Sequence, residues 1–280
     1  MVHGAWHSSA HWAATQRYLV RLGLDSIAVD LPGHGVNAPI PSSYLLAGQP
    51  GLESQKSAVA DVTMQDSADV ILSEVTDLHS RGRRIVVVAH SAGGGPASLA
   101  AEQAPEMVDR LVYLSAFVPA GRPRFTDYIN ADENVVAAKI PMVGEPSELG
   151  AHRINPFDED PTVLEAVRYA FLDDLPDDAP SGWRQLLHPD EPFSSLTAPV
   201  VVSAQRWGQI PRTYIRLTDD RALPPVTQDL MIAEADEAYP EQRFDVRDLT
   251  GGHSPFVTRP AELAALLADV ALKSADYPAV

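Results

Sequence analysis

The 280-residue sequence contains no cysteine. Disulfides, thiolate metal sites and a cysteine nucleophile are therefore excluded. Basic residues are scarce: 21 Lys and Arg stand against 38 Asp and Glu, a formal net charge of −17. Such a field repels phosphate backbones and anionic membranes, so neither nucleic acid nor a membrane is an expected partner. The acidity reads as solubility, and it leaves room for an anionic substrate in a locally different pocket. No run of 18 apolar residues occurs, so no transmembrane helix is expected. Met1 is followed by Val2-His3-Gly4 rather than by a basic stretch and an apolar core. No signal peptide is read, and a cytoplasmic location is expected. What the chain does have is 45% hydrophobic residues, enough for one sizeable core in an α/β domain with an insertion.

Strand-like and helix-like segments alternate, which predicts a mostly parallel, doubly wound sheet with helices on both faces. Ser26 to Leu31 reads as a strand closed by Pro32-Gly33-His34-Gly35, and residues 36–60 as a surface loop. From Val62 to Leu78, apolar side chains at Ala68, Ile71, Leu72, Val75 and Leu78 fall at helical spacing. Further strands are expected at 85–89, 111–117, 212–217 and 243–249, with helices at 226–238 and from Pro260 onward. Residues 120–210 break this rhythm with many prolines and the acidic pairs Asp173-Asp174 and Asp177-Asp178. They read as a cap, largely helical (161–172 for one), inserted between core segments 1–119 and 211–280. The acidic pairs lack the ligand spacing of a calcium loop and read as a solvated turn. At the start, His3-Gly4 resembles the loop after a strand, yet only Met1 and Val2 precede it. A central strand is expected to be shortened, with the start assigned downstream of the natural one.

The most informative stretch is Ile85-Val86-Val87-Val88-Ala89-His90-Ser91-Ala92-Gly93-Gly94-Gly95. A β-branched run ends in a serine ringed by small residues, and a small-residue helix follows. This is the G-x-S-x-G nucleophile elbow with Ala89 for the first glycine. It lifts a hydroxyl above the C-terminal edge of a sheet, on a turn that tolerates only small neighbours. A dinucleotide or phosphate loop would need G-x-G-x-x-G or a Gly-Lys-Ser/Thr sequence, and neither is present.

A serine hydroxyl needs an imidazole to take its proton and an acid to orient that imidazole. In this setting the chain order is Ser, Asp or Glu, then His. Asp219-Asp220 follows the strand ending at Leu217, and His253 follows the strand ending at Leu249 within Thr250-Gly251-Gly252-His253-Ser254. Ligand sites of open α/β sheets collect at such strand ends. Spacing alone allows either aspartate. Among the other histidines, His79 reads as solvent-facing, His152 and His188 belong to the cap, and His90 reads as packed behind the elbow. The Ala92 N–H is one expected oxyanion donor, and the loop His3-Gly4-Ala5-Trp6 is the source of the second. His3, His7 and His11 are spaced four apart, but without H-E-x-x-H or a matching carboxylate no metal site is expected. No cofactor is implied.

The segments His3-Gly4-Ala5-Trp6-His7, Asp30-Leu31-Pro32-Gly33-His34-Gly35, His90-Ser91-Ala92-Gly93-Gly94 and Gly251-Gly252-His253 resemble α/β-hydrolases. Arg212 to Pro224 narrows the resemblance to the methylesterase and hydroxynitrile lyase branch. That resemblance implies Asp220 as the acid and the Ala5 N–H as the second oxyanion donor. It also implies a serine carboxylic ester hydrolase working through Ser91, His253 and Asp220. Lyases of this branch carry a lysine directly after the catalytic histidine, where this chain has Ser254. The plant methylesterases differ through the cap and at Asp30 to Gly35, so no particular ester is carried over. Trp6, Phe117, Leu223 and Ser254 flank the motifs and are the candidate substrate contacts. A small-molecule ester is the expected partner, and a homodimer stays open. The competing readings are a lactone hydrolase or lyase using the same serine, or a non-catalytic ligand-binding version of the fold.

Overall fold

The computed structural model describes residues 1–273. In chain order its strands are β1 (Val86–His90), β2 (Arg110–Leu114), β3 (Ala151–Arg153), β4 (Asp190–Pro192), β5 (Arg212–Leu217) and β6 (Asp245–Leu249). The four longer strands form one parallel sheet in the order β1-β2-β5-β6. Val87 to Ala89 and Leu111 to Leu114 are buried, as expected for parallel strands covered on both faces.

Helices pack on both faces. The helix Met64–Ser80 opens with a capping box, in which Thr63 and Asp66 satisfy each other's backbone amides. It buries Ala68, Ile71 and Val75 at helical spacing, in the same apolar cluster as Val87, Ala97 and Tyr113. The terminal helix Pro260–Lys273 lies on the other face, where Leu263, Leu267 and Val270 cluster with Val88, Val112 and Ile215. Among the described residues, no helix is long and apolar enough to cross a membrane.

The strand expected over Ser26 to Leu31 does not form as such. Val29 makes a single parallel bridge to Val2, and Val2 makes a second to Ala89. Val2 N donates to Val88 O at 2.7 Å and accepts, through its carbonyl, from His90 N at 3.1 Å. Val2 thus stands as a one-residue strand, and a ladder so short cannot hold 26–31 in register. Beyond it lies a groove of about 430 Å³ between 26–29 and 85–88, with Ile71, Val75 and Leu267 in its walls. The Met1 amine sits at its inner end, donating to Ile27 O at 2.6 Å. Burial lowers that amine to about 6, with Glu74 acting weakly the other way.

Residues 120–210 include the expected helix Pro161–Leu172. They also contain an antiparallel pair, β3 with β4, which the sequence reading did not foresee. Its anchor is a fully buried ion pair: Arg153 meets both oxygens of Asp190, at 2.6 and 2.7 Å. Arg153 also donates to the carbonyls of Leu52 and Gln55. Three-residue strands carry no periodic signal, so a reading based on pattern sees only loop here.

The acidic turn is only half solvated. Asp177 is exposed, but Asp173 pairs with Arg221 at 3.0 Å and Asp174 with Arg259 at 3.5 Å. Asp174 also accepts from Gly252 N at 3.3 Å. The end of the 161–172 helix is therefore fastened to the loop that carries His253.

Candidate active site

Ser91 sits at the junction of β1 and the helix Gly94–Gln103, with φ at 51°. A non-glycine residue in that region is strained, and such strain concentrates where structure must aim a side chain. Glycine is required on both sides of the turn. A Cβ on Gly93 would lie 2.3 Å from His3 O, and one on Gly4 would lie 2.6 Å from Ser91 Cβ. The loop His3 to Trp6 therefore lies directly against the elbow.

His253 and Asp220 leave the ends of the neighbouring strands β6 and β5. His253 Nδ1 is 2.6 Å from Asp220 Oδ2, and both groups are buried. Spacing left two aspartates open; the structure brings Asp220 to the ring. Asp219 instead holds the loop, with its carboxylate accepting from Gly251 N at 3.1 Å. Asp220 is fixed by two more donors, Ser115 Oγ at 2.6 Å and Leu223 N at 2.8 Å. His90 lies behind the histidine. Its Nε2–H donates to His253 O at 2.9 Å, and the two rings are 4.5 Å apart. Among the described residues, Ser91 Oγ makes no hydrogen bond to His253, a contact often long before substrate binds. A carboxylate on Nδ1 leaves Nε2 as the nitrogen able to take a proton from a hydroxyl beside it.

The two expected oxyanion donors have free amides. Ala92 is in the first turn of its helix, where N–H groups have no intrahelical acceptor. In the opposing loop, His7 N turns back to Gly4 O at 3.2 Å and Trp6 N to Glu191 Oε2 at 2.9 Å. Neither the Ala5 nor the Ala92 N–H therefore has an acceptor among the described residues.

The four candidate substrate contacts are all buried. Trp6 packs 5.7 Å from Phe171, and its indole donates to His152 O at 2.8 Å. Phe117 stacks on Phe125 at 5.2 Å. Leu223 contributes its amide to Asp220, and Ser254 Oγ is 3.2 Å from His7 Nε2. The three histidines spaced four apart do not converge on a point. His3 binds Leu31 N through Nε2, while His7 and His11 face each other 4.4 Å apart.

Residues 1–266 match the family model described as the alpha/beta hydrolase family. The chain belongs to the alpha/beta hydrolase family. Methylesterase 9 of Arabidopsis thaliana is 27% identical over 99% of this hydrolase and 98% of its own length. A pyrethroid hydrolase of Sphingobium wenxiniae is 28% identical, covering 99% and 88% of the two chains. A solved structure titled as a novel pyrethroid hydrolase superposes with a TM-score of 0.69 at 25% identity, over 99% of this hydrolase and 97% of that chain.

Three groups at the site escaped the sequence reading. Phe171, from the 161–172 helix, lies 5.8 Å from the His253 ring and 5.7 Å from the Trp6 ring. Ser115 was read as part of the strand 111–117, but that strand ends at Leu114, and the Ser115 φ of 40° aims its hydroxyl at Asp220. Glu191 looked like one more acidic residue in a proline-rich stretch. It is fully enclosed, and its ion pair with His34 (2.9 Å) lowers its pKa to about 2 against the opposing cost of burial.

Proposed function

We propose that this hydrolase cleaves a carboxylic ester of a small molecule, in the manner of a methylesterase, with Ser91 as nucleophile. The observation that carries the reading is the buried 2.6 Å contact between His253 Nδ1 and Asp220, set beside a serine in a strained elbow. Relatives named as methylesterase and pyrethroid hydrolase, aligned over nearly the whole chain, support ester bonds as the target.

The steps follow from the geometry. Ser91 Oγ attacks the ester carbonyl as His253 Nε2 takes its proton. The carbonyl oxygen becomes an oxyanion held by the Ala5 and Ala92 amides. Asp220 keeps the Nδ1–H tautomer and stabilises the imidazolium. The imidazolium then protonates the leaving alcohol, which departs and leaves an acyl group on Ser91. Water, deprotonated by His253, attacks that acyl group and frees the acid. Phe171 packs against both the His253 ring and Trp6, and so these two side chains bear on which acyl groups enter.

A panel of methyl, aryl and lactone substrates plus a cyanohydrin, assayed with wild type and Ser91→Ala, tests this. Wild type is expected to hydrolyse simple esters and to be labelled by a fluorophosphonate. Ser91→Ala is expected to lose about 10⁴- to 10⁶-fold in turnover. Unchanged ester hydrolysis in Ser91→Ala, or turnover of only the lactone or cyanohydrin, refutes the reading.

A further inference from the structure

The loop carrying Ala5 is held from below by a group unrelated to the triad. The peptide unit joining Ala5 to Trp6 is fixed at both ends. Its carbonyl accepts from His7 Nδ1 at 2.7 Å, and its N–H donates to Glu191 Oε2 at 2.9 Å. The next carbonyl, Trp6 O, accepts from His188 N at 2.8 Å. These contacts hold Trp6 at φ 59°, a conformation that a tryptophan adopts only under constraint.

Glu191 itself lies on β4, 185 residues along the chain from Trp6. Its carboxylate is kept in place by His34 Nε2 at 2.9 Å, both side chains being buried. His34 has acceptors on both ring nitrogens, Glu191 on one side and Pro32 O at 3.2 Å on the other. That is the setting of an imidazolium donating twice. Around the pair stand His3 (4.6 Å from the His34 ring) and His188 (5.6 Å). His7 and His152 also lie within electrostatic reach of Glu191, as does Asp30 of His188. The four histidines are pushed towards neutrality by burial. Glu191 and His34 thus form the charged pair at the centre.

We propose that Glu191 is the positioning residue of the oxyanion loop: with His34 it fixes the Trp6 amide and thereby aims the Ala5 N–H at the reacting carbonyl oxygen. This rests on the reading of Ala5 as an oxyanion donor. The residue touches neither the substrate nor the triad. It acts through the Ala5–Trp6 peptide, which adjoins at the Ala5 Cα the Gly4–Ala5 peptide carrying the Ala5 N–H, so its loss weakens transition-state binding and leaves ground-state binding nearly intact.

The test uses Glu191→Ala and Glu191→Gln, with rates per active site counted by fluorophosphonate labelling. Wild-type labelling reports on the Ser91 reading alone, so a failure there is distinguishable from a failure of the clamp. Glu191→Ala is expected to lower kcat on an aryl ester about 100-fold, the scale of one lost oxyanion donor, with KM within about threefold. Its affinity for a trifluoromethyl ketone, which forms a tetrahedral oxyanion, should fall in step, while the matching methyl ketone binds as before. Glu191→Gln keeps an oxygen for the Trp6 amide and should recover about tenfold of that loss. It should also remove the alkaline decline that loss of the His34 proton imposes on wild type, since no carboxylate then holds that proton. A kcat per labelled site within threefold of wild type, or equal losses for both ketones, overturns the proposal. If Glu191→Ala does not fold, Glu191→Gln decides: unchanged kcat with an unchanged alkaline limb overturns it.

Discussion

Lowering the pH from 7.5 to 5.5 should destabilise this hydrolase far more than an ordinary domain. His3, His7, His11 and His90 are each at most 5% exposed. Burial lowers all four, His7 to about 3 and the others well below the usual histidine value. The hydrogen bonds agree. His3 Nε2 accepts from Leu31 N and His11 Nδ1 from Ser8 N, while His90 Nδ1 has no partner among the described residues. A ring nitrogen that accepts, or that faces nothing polar, has no place for a proton.

The sign and size follow from linkage. In the unfolded chain these imidazoles titrate near 6.5, so below that pH the unfolded state binds more protons than the folded one. Stability is full at pH 7.5 and falls on acidification. Each histidine that stays neutral only when folded loses about 1.4 kcal/mol over this interval, or about 5.5 kcal/mol for the four. His34 works in the opposite direction, because Glu191 raises its pKa against burial. It returns part of that loss as the pH falls. The net loss is at least about 4 kcal/mol, enlarged by His152, His188 and the Met1 amine, which burial also lowers, and it is a large part of the 5–15 kcal/mol that holds a typical domain together. Urea unfolding followed by tryptophan fluorescence at pH 7.5, 6.5 and 5.5 measures it. His11→Gln should reduce the loss by about 1.4 kcal/mol. A loss below about 1 kcal/mol between the two extremes would refute the argument, as would a slope indifferent to His11→Gln.

Three further outcomes are expected. Asp190→Ala strands the Arg153 charge inside the protein and should cost about 3–5 kcal/mol by urea titration. The apolar pair Arg153→Met with Asp190→Leu should recover only part of that, because the Leu52 and Gln55 carbonyls then lose their donor. Asp220→Asn should leave the fold intact but reduce ester turnover about 10⁴-fold, since the amide favours the wrong tautomer of His253. Fusing five β-branched residues ahead of Met1 should fill the groove beside β1, where by parallel alternation Val86 O and Val88 N face an open edge. A rise in Tm of about 4 °C or more is expected, with slower hydrogen exchange at Val88, relative to a Gly-Ser fusion of equal length. Equal Tm values for the two fusions would count against the groove as a strand position.

What could be read from the sequence was local. The β-branched run 85–88, the small residues around Ser91 and the helical spacing from Val62 to Leu78 each encode structure within a few neighbours, and the strand and helix form within two residues of where they were read, at Val86–His90 and Met64–Ser80. The order Ser91, Asp220, His253 was legible because each residue closes a strand of the same sheet. The two aspartates after Leu217 were not separable that way, since a turn can present either one. Contacts that depend on distant partners left no trace. Glu191 on Trp6 and Asp174 on Gly252 join segments 185 and 78 residues apart. The expected 26–31 strand failed for the same reason. Its residues have ordinary strand character, but strand formation needs a partner ladder, and Val2 provides a single rung.

Histidine shows why such a limit is physical. Nine histidines are identical symbols in the sequence, yet the fold gives them different surroundings. His79 lies on an exposed helix end, His34 is buried against a carboxylate, and His90 is buried against a ring and a carbonyl. Burial and partner, not residue type, decide whether each ring carries a proton. Only His253 combines a carboxylate on Nδ1 with a position beside the elbow. Burial keeps the rings at 90 and 7 neutral, so neither adds a positive charge beside the His253 ring.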